Sequence, residues 1–421
     1  MQDNQVSDNR MSSFPIDAVR ACFPALAREV AGRPAVYFDA PGGTQACHSA
    51  IEAMTAHLMH GTANSGGAFA TSVETDALSA EAHAAVADLL GGQPQEIAFG
   101  PNMTSLTFAV ARALARNWSA GDELVVTRLD HDANVAPWLA VAADRGMTVR
   151  WLDFDPATGR WSPDDLAPLL NARTRLVALG AASNALGTLN PIAQAVAVVK
   201  ARSEALVYVD AVQSVPHVPT DVAALGCDFL ACSPYKFFGP HQGVLWARGD
   251  VVERVEAYKV RPASAEGAHR FETGTPSFEG QAGVLGTIRY LDWLGGEADP
   301  SANSRRARLV AAMTAATAYE HDLGEQLLAG MRTIPGLRLY GPPTMANRVP
   351  TFAFTIDGHA PAAVAEHLAS RGIFAWSGHF YAVEAVAHLG LANKGGLLRV
   401  GLCHYNAAAE VDRLIAALAE L

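Results

Sequence analysis

Lysine is rare in this chain: of 31 basic residues only Lys200, Lys236, Lys259 and Lys394 carry an amine. Lys236 lies in FLACSPYKFFGP, a segment too apolar for a solvated loop. An amine in such a setting is held partly unprotonated, able to attack a carbonyl carbon or to accept a proton. Lys200 ends a helical stretch, Lys259 falls in a charged stretch that reads as helix, and Lys394 sits in a Gly-rich loop, so none of them competes. Polar residues also close neighbouring apolar runs. ALVYVD ends in Asp210, with Gln213 three residues on, and CDFLAC is followed by Ser233, Pro234, Tyr235 and Lys236. Asp210 and Lys236 are 26 residues apart, one strand-helix-strand unit, which places both beyond the carboxyl ends of nearby strands, where open α/β sheets bind ligands.

A buried amine and a buried acid with such spacing fit pyridoxal 5′-phosphate. An acid opposite the ring nitrogen keeps that nitrogen protonated, so the ring accepts the electrons released when a bond to a substrate α-carbon breaks; Asp210 is the candidate. Lys236 is the candidate for the Schiff base with the cofactor aldehyde and, once displaced, for the base that takes the α-proton. A phosphate needs free backbone N–H groups, and FGPNMTSLTFAVARAL runs from strand through a Gly-Pro-Asn turn into a helix beginning at Met103 and Thr104. An ordinary capped helix explains that segment alone equally well; the strand-turn-helix setting and the Ser233 hydroxyl favour phosphate. His131, in TRLDHDANVAPW, can stack on the cofactor ring, and Asn184, in AASNALGTLNP, can bond the ring hydroxyl together with Gln213. Singly, a histidine is more often structural, and an asparagine after a strand is more often a turn residue.

These residues need a scaffold of parallel strands. EIAFG, DELVVT, TVRWLDF, RLVALG, ALVYVD and CDFLAC alternate with Ala-rich helical stretches, the pattern of a mostly parallel sheet covered by helices, and GVLWAR reads as an added, antiparallel strand. Near residue 295 the pattern changes to a long helix (SRRARLVAAMTAATAYEHDL), followed by LRLYG, VPTFAFTI, a helix from Pro361, LLRVGLCHYN and a terminal helix, the order of a small α+β domain. The expected organisation is a disordered tail at 1–13, a helical segment at 14–35 packing near the small domain, a large α/β domain at 36–295 with a mostly parallel seven-stranded sheet, and a smaller α+β C-terminal domain at 296–421.

Composition narrows the partners. A net charge of -11 with no basic run argues against nucleic acid, and no apolar run approaches the ~20 residues a membrane helix needs, so a cytoplasmic protein is expected. The five cysteines are scattered and odd in number, as reduced thiols are. No metal site is expected: His57 and His60 form only an i, i+3 pair without further ligands at usable spacing. Gly-x-Ser-x-Gly and P-loop patterns are absent.

Taken together, YFDAPGGTQ, LDHDANVAPW, SNALGTLNP, VYVDAVQSV, CDFLACSPYKFFGP, RFETGTP and LLRVGLCHYN occur in the order of a known family. From about Val36 to the C-terminus the chain resembles the cysteine-desulfurase-like branch of the class V aminotransferases. The resemblance implies fold type I and a homodimer with shared active sites, in which Thr275 lends its hydroxyl to the neighbour's phosphate. It also implies Lys236 as the Schiff base, Asp210 at the ring nitrogen, Gln213 and Asn184 at the ring oxygen, His131 in stacking, Thr104 and Ser233 at the phosphate, and Arg399 as the clamp on the carboxylate of a small amino-acid substrate.

Two departures from the family pattern matter. The desulfurase loop Arg-Thr-Gly-His-His-Cys corresponds to Trp376, Ser377, Gly378, His379, Phe380 and Tyr381, so a phenol stands where the persulfide-forming thiol would be. Tyr235 stands where a histidine usually precedes the lysine, and its hydroxyl can still reach phosphate. Cys403, a conceivable substitute thiol, reads as strand packing. The reading that follows is a lyase, with carbon-sulfur cleavage the leading version and Trp376, His379 and Tyr381 facing the substrate. The alternatives are an aminotransferase, an epimerase with His379 or Tyr381 as second proton donor, or a non-catalytic pyridoxal-phosphate-binding partner in sulfur transfer.

Overall fold

The computed structural model describes residues 14–421; the tail at 1–13, expected to be disordered, lies outside the described residues. Seven strands form the central sheet: β1 (Ile97–Gly100), β2 (Glu123–Thr127), β3 (Thr148–Leu152), β4 (Thr174–Gly180), β5 (Leu206–Asp210), β6 (Phe229–Cys232) and β7 (Gly243–Ala247). Their order is β1-β7-β6-β5-β4-β2-β3. Parallel pairing runs from β6 through β5, β4 and β2 to β3, and β7 is antiparallel to both β6 and β1. All seven apolar runs of the sequence are strands here, GVLWAR as the antiparallel one.

Strand chemistry explains the layering. Side chains alternate across a strand, and here the alternation feeds two cores. Val125, Val177, Val207 and Val209 face one side with Val196, Val199, Leu285 and Ile288. Leu124, Val126, Leu176, Ala178 and Tyr208 face the other with Leu106, Val110, Trp138 and Val141. Residues of both sets are apolar, which is why these strands read as continuous hydrophobic runs rather than as alternating ones. β3, at the sheet edge, is the exception: its exposed positions alternate, and Arg150 pairs with buried Glu123 of β2 at 3.0 Å.

The helices that matter for the site are α1 (His48–His60), α2 (Ala70–Leu90), α3 (Met103–Ala115), α4 (Ala136–Arg145), α5 (Ile192–Arg202), α6 (Phe278–Ala298), α7 (Arg305–Met331), α8 (Pro361–Ala369) and α9 (Ala408–Leu418). Lys259, expected in a helix, lies in irregular chain. The C-terminal part carries an antiparallel sheet of order β8-β9-β11-β10, with β8 Leu337–Tyr340, β9 Thr351–Ile356, β10 Trp376–Gly378 and β11 Leu397–Gly401. β10 corrects the expectation of a loop there: Trp376 pairs with Arg399, and the short Trp-Ser-Gly run was masked by its glycine and its brevity.

The amino-terminal segment packs on this part. Arg20 bridges to Glu410 at 2.9 Å, Phe14 stacks on Tyr319, and Val36–Tyr37 pairs in parallel with Ile373–Phe374. Position 36 therefore lies inside a strand paired with the C-terminal part, and position 295 lies within α6. No helix among the described residues is long and apolar enough to cross a membrane.

Candidate active site

A cavity of about 690 Å³ opens where β2 and β4 diverge, at the carboxyl ends of the parallel strands, with β10 and the loop behind it forming the opposite wall. Met103, Thr104, His131, Asn184, Asp210, Gln213, Tyr235, Lys236, Trp376, His379, Tyr381 and Arg399 all line it. Two expected residues do not. Ser233 is still extended at the end of β6 (φ -136°, ψ 113°) and only 1 % exposed, while the 3₁₀ turn Pro234–Lys236 carries Tyr235 and Lys236 onward to the cavity. Thr275 lines a separate depression beside His83 and Glu272, so within one chain it does not meet the other cofactor candidates.

Lys236 is buried, and its Nζ donates to the Pro41 carbonyl and lies 4.9 Å from the centre of the Tyr235 ring. Burial, with the Arg399 charge adding, pushes its pKa down to about 7, against the pull of Asp210 and Asp39. Asp210 accepts the Val212 amide at 2.9 Å, and burial raises its carboxyl to about 6. Lys236 opposes that rise, and a cationic ring nitrogen placed beside Asp210 would favour its carboxylate further. His131 accepts the Ala133 N–H on Nδ1 at 3.0 Å, which puts the proton of the neutral ring on Nε2. Burial and the charges of Lys236 and Arg399 drive its pKa down to about 4, so at neutral pH it is an uncharged aromatic plate.

Asn184 links three elements. Its Nδ2 donates to the Phe380 carbonyl at 2.7 Å, its own carbonyl accepts Arg399 Nη1 at 2.8 Å, and its Oδ1 is buried without a partner. Arg399 is fully enclosed, stacks 4.3 Å over the Phe380 ring, and leaves Nε unpaired; burial lowers its pKa to about 9. Gln213 Nε2 is engaged with the same Pro41 carbonyl as Lys236, at 2.8 Å. Phe380 and Tyr381 both hold positive φ, 54° and 59°, which non-glycine residues adopt only under tertiary constraint. The constraint is visible: Asp132 N–H donates to the Tyr381 carbonyl at 2.7 Å, and the Tyr381 ring stacks on His131 at 5.5 Å. Trp376 closes over Gly42, where a Cβ would stand 2.5 Å from the indole nitrogen.

Sequence reasoning missed three members. Asp130 precedes His131 within the same motif, is buried, and accepts Thr127 Oγ1 and the Gly180 amide, both at 3.0 Å, and Asn134 Nδ2 at 2.8 Å, tying the ends of β2 and β4 together. Burial and the Asp210 charge raise its carboxyl to about 7. Asp39 has an unpaired Oδ1 and is pushed up to about 6 by burial, with Arg399 and Lys236 opposing. Pro41 contributes only a carbonyl, which side-chain patterns do not reveal. The Asn184 bridge carries a prediction: Asn184→Ala removes the tie to Phe380, so the Phe380–Tyr381 segment should become more susceptible to proteolysis and substrate KM should rise about 5-fold, the equivalent of one hydrogen bond of ~1 kcal/mol. Steady-state kinetics with limited proteolysis checks it.

The donor set suits a phosphorylated pyridine aldehyde. It offers an amine of lowered pKa, a carboxylate for a ring nitrogen, an amide oxygen awaiting a donor, and the first turn of α3, where helices leave N–H groups without intrahelical partners. Residues 36–414 match the family model described as aminotransferase class-V. The chain belongs to the class V aminotransferase family. This class V member uses pyridoxal phosphate as cofactor, and Lys236, Asp210 and the α3 amides are the groups that fit it. It is 32 % identical to a cysteine desulfurase of Pectobacterium atrosepticum, over 96 % of this chain and 98 % of that one, and 33 % identical to one of Klebsiella pneumoniae with the same coverage. Its fold matches the apo cysteine desulfurase of Thermococcus onnurineus with a TM-score of 0.85 at 26 % identity, covering 97 % of this chain and 98 % of the other.

Proposed function

We propose that this class V enzyme is a lyase acting on a small amino acid by abstraction of the α-proton, and that it forms no persulfide on its own chain. One observation carries the reading: in a single cavity, an amine poised to lose its proton near neutrality, Lys236, shares the space with a buried guanidinium, Arg399, and no cysteine lines the walls. Arg399 holds the substrate carboxylate with its planar fork. Lys236, which would hold the cofactor through its amine, takes the α-proton at Nζ. His131 would lie against the cofactor as a neutral plate, and Asp210 would balance the charge of its ring. The bound cofactor supplies a sink for the electron pair left at the α-carbon. A substituent on the β-carbon then departs with its bonding electrons and takes up a proton, and the unsaturated amine left behind tautomerises to an imine that water hydrolyses to keto acid and ammonia.

The names of the relatives support sulfur-bearing substrates, and the aromatic wall of Trp376, Phe380 and Tyr381 suits an apolar or sulfur-containing side chain. The test is to supply β-substituted amino acids, including cysteine and β-chloroalanine, and to measure keto acid without an added amino acceptor. Release of pyruvate is the expected result. A requirement for an added keto acid makes the enzyme an aminotransferase; full racemisation without keto acid makes it an epimerase; absence of α-deuterium exchange with every amino acid indicates a non-catalytic binder. Exchange of the α-proton with solvent deuterium should rise with pH through about 7, because Lys236 accepts a proton only above its pKa, and should fall about tenfold per unit below it. A rate that stays flat down to about pH 5 contradicts Lys236 as the base.

The reading also includes a homodimer with shared sites. Ile51, Leu58 and Met59 of α1, with Phe69 and Val73 at the start of α2, expose large apolar side chains close together in the chain, which a second copy can cover. Thr275 of RFETGTP lies outside the Lys236 cavity of its own chain, as a residue serving its neighbour's phosphate must.

A further inference from the structure

We propose that His83, His269 and Glu272 form a binding site for one divalent transition-metal ion of the zinc class, outside the Lys236 cavity of the same chain. The three side chains lie in a second cavity of about 700 Å³, together with Asp76, Ser79 and Thr275. His83 comes from α2, whereas His269 and Glu272 come from the 3₁₀ turn Gly267–Phe271 and the residue that ends it. One ligating atom from each falls within 4.8 Å of the other two. His83 Nε2 stands 2.7 Å from Glu272 Oε1, His269 Nδ1 stands 3.5 Å from Glu272 Oε2, and the two imidazole rings are 4.6 Å apart.

The surroundings orient these atoms as the outer partners of a metal site do. His83 Nδ1 faces the Ser79 carbonyl at 2.7 Å and must carry a proton to bond it, which turns Nε2 towards the cluster. The Phe99 amide donates to Glu272 Oε1 at 2.8 Å and fixes the carboxylate. Both imidazoles face the one Glu272 carboxylate. A metal ion between them accepts a lone pair from each imidazole and from the carboxylate, and leaves a fourth position to water from the cavity. Zinc bonds of ~2.0–2.2 Å require neighbouring ligand atoms to be roughly 3.3 Å apart, so His83 and Glu272 need to separate by about half an ångström. The sequence hid the set because His83 lies 186 residues before His269.

The test uses the cofactor-loaded protein, dialysed against EDTA and titrated with Zn²⁺ or Co²⁺ at about pH 7.5, where imidazole is mostly neutral. Expected are saturation at one ion per chain, ligand-field bands of tetrahedral Co²⁺, and a rise in melting temperature on adding Zn²⁺. His269→Ala changes a side chain that is 30 % exposed, so folding should survive. It should weaken Zn²⁺ binding by about 100-fold or more, at or beyond the cost of losing an orienting partner alone, and His83→Gln should do the same. Absence of saturable binding by either ion, or binding that both variants leave unchanged, overturns the site. Both readouts are independent of turnover at Lys236.

Discussion

Replacing Lys236 by alanine should lower α-proton exchange by about 10³-fold or more, since positioned proton transfer contributes ~10²–10⁴ and covalent capture of the cofactor is lost with it. The same variant should keep its fold. Lys236 makes one hydrogen bond, to the Pro41 carbonyl, and its amine is buried at a cost that already shows in a pKa lowered to about 7. Alanine removes that cost, so the melting temperature of the cofactor-free protein should not fall. Lys236→Arg separates charge from chemistry: it keeps a cation in the cavity but cannot bond the aldehyde or accept a proton at neutral pH, and should be as inactive as alanine. Exchange within about tenfold of the parent in either variant assigns the base to another group.

Arg399→Lys should lower kcat/KM for the amino-acid substrate by about 10- to 150-fold, expressed mainly in KM. The guanidinium is fully buried, has one hydrogen bond to the Asn184 carbonyl, and leaves its Nε unpaired, so donors remain for a carboxylate. A hydrogen bond to a charged group contributes ~1.5–3 kcal/mol, and lysine retains the charge but loses the planar pair of parallel bonds. If the contact is the same in ground and transition states, KM rises and kcat holds. Melting curves guard against a structural cause, because Arg399 also covers Phe380 and offsets Asp39. A KM within about twofold of the parent removes Arg399 from substrate binding.

Why some of this was visible in the sequence and some was not follows from where each residue acts. The strands of the central sheet are buried on both faces, so β2, β4, β5 and β6 appear as unbroken apolar runs. The polar residue that ends each run then marks the ligand crevice, which is how His131, Asn184, Asp210 and Lys236 are brought together. Arg399 was legible through the family motif, within β11. Ser233 shows that adjacency to Lys236 does not fix exposure: it is extended at the end of β6 and buried, one residue before the 3₁₀ turn that carries Tyr235 and Lys236 to the cavity. Pro41 acts through a carbonyl and Asp39 through long-range charge, neither of which has a local pattern. The His83 and Glu272 pair joins segments that only folding brings within 2.7 Å.

The bond between Lys236 Nζ and the cofactor aldehyde is tested most directly by reducing the yellow protein with borohydride, digesting it, and locating the added cofactor mass by mass spectrometry. The account predicts a single labelled peptide, the one containing Ser233 to Phe238, with the label on Lys236. Label on Lys200, Lys259 or Lys394, or protein that takes up pyridoxal phosphate yet yields no labelled peptide, contradicts it.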